Sequence, residues 1–97
     1  MATYITLLNW TDQGIRNIKE SPDRLDAARK AVEDAGGDLG EVYMTMGAYD
    51  LVAVSHFPND EAAATFALGT GSGGNVRSTT LKAFPESEYR RIIGALR

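Results

Sequence analysis

Glu41-Val42-Tyr43-Met44-Thr45-Met46-Gly47-Ala48-Tyr49-Asp50-Leu51-Val52-Ala53-Val54-Ser55-His56-Phe57 is the stretch that decides the fold. Two runs rich in aromatic and β-branched residues, Glu41–Met46 and Tyr49–Phe57, flank the dipeptide Gly47-Ala48. A glycine-first pair between two strands predicts a hairpin with a type II′ turn. That turn sets a register: Met46 faces Tyr49, Thr45 faces Asp50 and Met44 faces Leu51. Side chains alternate along a strand, so one face is expected to carry Val42, Met44, Met46, Tyr49, Leu51 and Ala53 as core. The other carries Tyr43, Thr45, Asp50, Val52, Val54 and His56, a mixed set.

Upstream, Thr3–Leu8 reads as a strand. Thr11 or Asp12 caps a short helical stretch holding Ile15 and Ile18. Ser21-Pro22-Asp23 combines a capping hydroxyl, a proline suited to the first helical position and an acid in the first turn. Leu25, Ala28, Val32 and Ala35 then recur at spacings of three and four, which predicts an amphipathic helix ended by Gly36-Gly37. Downstream, Asn59 caps an alanine-rich helix containing Ala63, Phe66 and Ala67. Gly69–Gly74 reads as a flexible connection with the potential of a lid. Val76–Phe84 is the fourth strand, and Pro85-Glu86 opens a last helix with Tyr89, Ile92, Ile93 and Leu96 on one stripe.

The order β-α-β-β-α-β plus a terminal helix predicts an α+β domain over residues 1–97, a ferredoxin-like βαββαβ plan. Its antiparallel four-stranded sheet has the first and third strands central and an extra C-terminal helix. Helices then cover one sheet face only. Tyr4, Thr6 and Leu8 lie on one side of the first strand, Ile5 and Leu7 on the other, so neither side is plainly built for water. A homo-oligomer is the expected remedy; a monomer needs the terminal helix laid over the second face.

Tyr43-Met44-Thr45-Met46-Gly47-Ala48-Tyr49-Asp50 resembles the signature of the GYD domain family. Thr11 to Gly14, Pro22, Arg24, Gly36-Gly37, Pro58 with Asp60, Gly74-Asn75-Val76-Arg77 and Thr80-Leu81 agree with it. The resemblance spans nearly the whole chain and implies a ferredoxin-like domain of the dimeric α/β-barrel group, mostly bacterial. It carries no activity onto these residues. The broader group includes cofactor-independent oxygenases, small isomerases and haem proteins, and shared fold alone does not choose among them.

Composition narrows the field. The chain has 97 residues, no cysteine and one histidine. A domain this short buries only about 60–65% of the surface its unfolded chain exposes, and without cysteine neither disulfides nor thiolate metal sites add to its stability. With His56 alone, a metal site is not expected, and no cofactor is assigned. The net charge is −3 with scattered Lys and Arg, which argues against nucleic acid. The longest apolar run, Leu51–Val54, is far short of a membrane span, and the start lacks signal-peptide character. A cytoplasmic protein is expected.

Several residues are candidates for chemistry. Asp50, just inside a central strand, reads either as a general base or as an anchor bonding the Gly47-Ala48 turn or Thr45. Tyr43 on the same face either polarises a ligand carbonyl or packs. His56 is able to ligate haem iron, but stands about 20 Å along the strand from Asp50, too far to pair with it. The Gly69–Asn75 segment follows a helix and enters a strand, the reverse of a phosphate loop. Trp10, beside Asn9, lines a pocket mouth, an interface or the core. The expected ligand-binding set is Tyr43, Thr45, Asp50, Asn75 and Arg77, near the mixed hairpin face and closed by the glycine-rich segment. The leading expectation is an oligomeric domain for small-molecule binding or assembly. The alternatives are a cofactor-independent enzyme, with Asp50 as base and Tyr43 steadying an oxyanion, and haem binding through His56.

Overall fold

Alternating polar and apolar residues extend the first strand beyond its expected ends, so β1 runs Ala2–Trp10 in the computed structural model, which describes all 97 residues. A short helix α1 (Asp12–Arg16) and a 3-10 turn (Ile18–Glu20) lead into α2 (Ser21–Asp34). Strands β2 (Asp38–Met44) and β3 (Leu51–Phe57) form the hairpin; α3 (Asp60–Ser72), β4 (Val76–Ala83) and α4 (Glu86–Gly94) follow. The sheet order is β2-β3-β1-β4 with every neighbouring pair antiparallel. This is the expected ferredoxin-like arrangement, with β1 and β3 central.

The hairpin register is the expected one: Met44 faces Leu51, Tyr43 faces Val52 and Val42 faces Ala53. The turn is wider than expected. Thr45 N donates to Asp50 O at 2.8 Å, but the Asp50 amide turns away to Leu8 O on β1, also at 2.8 Å. Gly47 takes φ 130°, far from the about +60° of a type II′ turn. Strand pairing therefore stops at Met44 and Leu51. Three residues expected in the core, Met44, Met46 and Tyr49, are exposed instead. A bulge between Leu39 and Val42 shifts the alternation, so Leu39 returns to the helix side opposite Ser55.

The helices keep their expected faces with altered ends. Thr11 caps α1 by accepting from Gly14 N at 3.1 Å, and Asn59 caps α3 by accepting from Ala62 N at 2.8 Å. Ser21 is the first residue of α2 rather than its cap, because the 3-10 turn feeds directly into the helix. The glycine-rich segment is not a flexible connection: α3 continues through Gly69 and Gly71 to Ser72, whose hydroxyl bonds Gly69 O at 2.8 Å. What remains, Gly73 to Asn75, is pinned from α1. Thr11 N donates to Asn75 O at 3.0 Å, Thr11 Oγ1 to Gly74 O at 2.6 Å, and Gln13 Nε2 to Gly73 O at 3.1 Å. Gly14 makes this approach feasible, since a Cβ there would stand 2.0 Å from Asn75 O.

Only seven residues are buried, which makes the core small and confines it to one end of the molecule. Tyr4, Val32, Leu39, Phe57 and Ala63 form it, with Phe57 edge-on to Tyr4 at 5.9 Å and tilted against Phe66 at 5.6 Å. Two surfaces are left unfilled. Beyond the core, the helix side opens into a cleft. Behind the sheet, Ile5, Leu7, Val52 and Val54 form an apolar face, since Ile5 pairs with Val54 and Leu7 with Val52. The terminal helix does not close that face: Ile92, Ile93 and Leu96 remain exposed, and the molecule extends to 52 Å along its long axis. No helix is long and apolar enough to cross a membrane.

Candidate functional site

The cleft lies between the sheet and the α2–α3 pair and has a volume of about 660 Å³. It exists because the facing helices present small side chains there, Ala28 and Ala31 from α2 and Ala62 from α3. Small side chains on both walls leave a gap that no residue fills. Its floor is the helix-side row of the sheet, including Leu8, Leu51 and Ala53.

Uncharged polar residues, Thr6, Ser55, Thr65, Thr70 and Asn75, are spread along the lining, and its one charge stands near the start of α2. Trp10 and Arg24 both line the cleft, with Ser21 at the positive end of the α2 dipole. The Arg24 guanidinium is held by Nη1 donating to Asn17 O at 2.9 Å. Its Nη2 is buried and meets no acceptor, and the Trp10 Nε1 is buried and unpaired in the same way. Arg24 is the only charged residue in the lining, so no carboxylate of the chain neutralises it there.

The residues expected to bind a ligand are dispersed. Asn75 lines the cleft, while its Oδ1 accepts from Gln13 Nε2 at 3.1 Å. Asp50 accepts the Trp10 backbone amide at 2.9 Å, so it anchors β1 rather than the hairpin turn. Asn9 Nδ2 adds a second tie, to Ala48 O at 2.9 Å. Thr45 Oγ1 donates to Tyr49 O at 2.5 Å. Tyr43 lies on the opposite, exposed sheet face, where its hydroxyl donates to Glu41; that bond, and then the Glu41 charge, raises its pKa. Arg77 pairs with Asn9 on β4, on the same face as Tyr43.

His56 finds an aspartate after all, though not Asp50. Its Nδ1 stands 3.4 Å from Asp38 Oδ2, because β2 begins at Asp38, directly opposite His56. A second polar cluster ties β1, α3 and β4 together. The buried Tyr4 donates its hydroxyl to Asp60, and Lys82 Nζ lies 3.2 Å from the same carboxylate. The Tyr4 bond first, and then Lys82, hold the Asp60 pKa below its usual range, while the Asp60 bond raises that of Tyr4.

Arg24 and Trp10 were both visible in the sequence, one at a helix start and one at a strand end. Nothing in their spacing placed them in one cleft.

The family model of the GYD domain matches residues 4–93. The chain is 30% identical to a Thermus thermophilus protein named glutamine synthetase and cystathionine beta-lyase binding protein, over 91% of this chain and 94% of that one. A solved structure from the same organism, that of TTHA0845, is 28% identical with a TM-score of 0.53, covering 88% of this chain and 95% of its own. The solved MtbAldR chain superposes with a TM-score of 0.69 at 15% identity, over 88% of this chain. That likeness concerns the fold alone and spans 52% of the longer chain.

Proposed function

The chain belongs to the GYD domain family, and from that premise we propose that it is a self-assembling binding domain, copies of which pair through the open sheet face. The observation that carries this reading is the half-buried row Ile5, Leu7, Val52 and Val54, with the exposed Leu81 beside it on β4, over which α4 makes no extensive contact. A contiguous apolar sheet face costs free energy in water and is relieved by a second copy presenting the same face. The exposed stripe of α4 supplies further apolar surface for the contact.

The name of the Thermus relative supports binding over catalysis. On this reading, the assembled body docks partner proteins, with enzymes of nitrogen and sulfur amino-acid metabolism as the first candidates. An enzyme using Asp50 as base is less well supported, because one carboxylate oxygen already holds the Trp10 amide.

Sedimentation velocity tests the assembly. The chain is expected to sediment as an oligomer at micromolar concentration, and Val54→Lys, which places a charge at the centre of the face, is expected to shift it to monomer. A wild-type monomer at that concentration overturns the reading.

A further inference from the structure

We infer that the cleft between the sheet and helices α2 and α3 is a binding site for an amphipathic monocarboxylate, with its head on Arg24 and Trp10 and its apolar body along the alanine-lined walls. The inference does not rest on self-association, since the cleft lies on the other side of the sheet from the open face.

A buried N–H without an acceptor forfeits the hydrogen bond that water gave it in the unfolded chain, so such groups are uncommon and call for a partner. Here two of them, Trp10 Nε1 and Arg24 Nη2, belong to residues that line the same cleft. Both are donors, so the missing partner is an acceptor. One of them is cationic, and no acid of the chain lines the cleft, so a negative acceptor fits best.

The number of donors narrows the choice. Arg24 Nη1 is already occupied by Asn17 O, and the buried donors without an acceptor are its Nη2 and the indole N–H. Two donors suit the two oxygens of a carboxylate; a phosphate dianion would keep most of its oxygens unpaired. The start of α2 beside them adds a favourable partial charge for an anion.

The rest of the lining reads the body of the ligand. Leu8, Val42, Leu51, Ala53, Ala62 and Phe66 offer no charge and almost no hydrogen-bonding capacity. A preformed, mostly apolar cleft with a few hydroxyls and a single charged group is the usual form of a site for a molecule of that polarity. An alkyl or aryl chain carrying one carboxylate matches both ends.

Trp10 is the only tryptophan, so its fluorescence reports on the site directly. The probes are decanoate and the neutral decanol, each titrated below its micelle or solubility limit into the full chain. Decanoate is expected to change the Trp10 emission saturably and to bind at least about tenfold more tightly than decanol, the worth of one charge-assisted hydrogen bond. Arg24→Gln is expected to abolish that preference by weakening decanoate far more than decanol, with the sedimentation coefficient unchanged. Trp10→Phe, followed by calorimetry, is expected to weaken decanoate several-fold and decanol little, and it carries the test should Arg24→Gln fail to fold. The inference is overturned if decanoate does not bind, if decanol binds equally well, or if neither variant alters decanoate affinity. Those results would leave the assembly reading untouched, because it is judged by sedimentation alone.

Discussion

The Asp50 carboxylate accepts the backbone amide of Trp10 at 2.9 Å, while the Asp50 amide donates to Leu8 O at 2.8 Å. The aspartate of the family signature thus joins the start of β3 to the end of β1. It also ties to the start of β3 the backbone of the residue whose side chain lines the cleft.

Removing that acceptor strands a backbone donor. Asp50→Ala is expected to lower stability by about 1–3 kcal/mol, read from the urea midpoint. Asp50→Asn retains a side-chain oxygen and is expected to recover much of the loss. Equal losses in the two variants would show that the negative charge, rather than the bond geometry, is what matters.

The contact between α1 and the Gly73–Asn75 segment has no room for a methyl group. Gly14→Ala is expected to destabilise by about 1–3 kcal/mol, since its Cβ would stand 2.0 Å from Asn75 O. Gly71→Ala meets open space inside α3 and is expected to stabilise by about 0.5–1 kcal/mol. Thermal unfolding of the pair separates crowding from backbone entropy.

Acid weakens the Tyr4–Asp60–Lys82 cluster. The Asp60 pKa is lowered in the folded chain, chiefly by the Tyr4 hydroxyl and then by Lys82. Its contribution is therefore present above the unfolded value of about 4 and fades as pH falls through the lower folded value. Tyr4 behaves oppositely: its raised pKa makes its contribution complete below about pH 10 and lost as pH rises through the folded value. In urea midpoints measured against pH, the gap between wild type and Tyr4→Phe is expected to narrow at both extremes. A gap that stays constant below pH 4 would remove Asp60 from the account.

The terminal helix is expected to serve association rather than the subunit core. In a monomeric Val54→Lys background, Ile93→Ser at a half-exposed site should change stability by less than about 0.5 kcal/mol. In the wild-type background it is expected to weaken assembly, measured by dilution in sedimentation experiments. A large loss in the monomer would place α4 in the core.

Much of the fold was legible because it depends on local chemistry. Gly47-Ala48 centred the hairpin, so the Met44–Leu51 register followed even though the turn proved wider than a two-residue one. Leu25, Ala28 and Val32 marked the inward side of α2, and Asn59 the cap of α3. Local signals failed where a distant contact decided the outcome. The Leu39–Val42 bulge resets the alternation of β2 and brings Asp38 opposite His56. Gly69 and Gly71 stayed helical despite their flexibility, and Met44, Met46 and Tyr49 near the hairpin tip stayed exposed.

The candidate site divides in the same way. Of the residues singled out from the sequence, Asn75 lines the cleft, Asp50 positions Trp10, and Tyr43 and Arg77 lie on the opposite sheet face. By itself the sequence determined the elements, their order, the hairpin register and the apolar sides of the strands. Each of these follows from side-chain periodicity and turn conformation within a few residues. Only the tertiary structure decided that alanines of α2 and α3 would face each other across a gap, and that Trp10 and Arg24 would share it. Whether a donor finds an acceptor depends on groups far apart in the chain, and in this chain two donors find none.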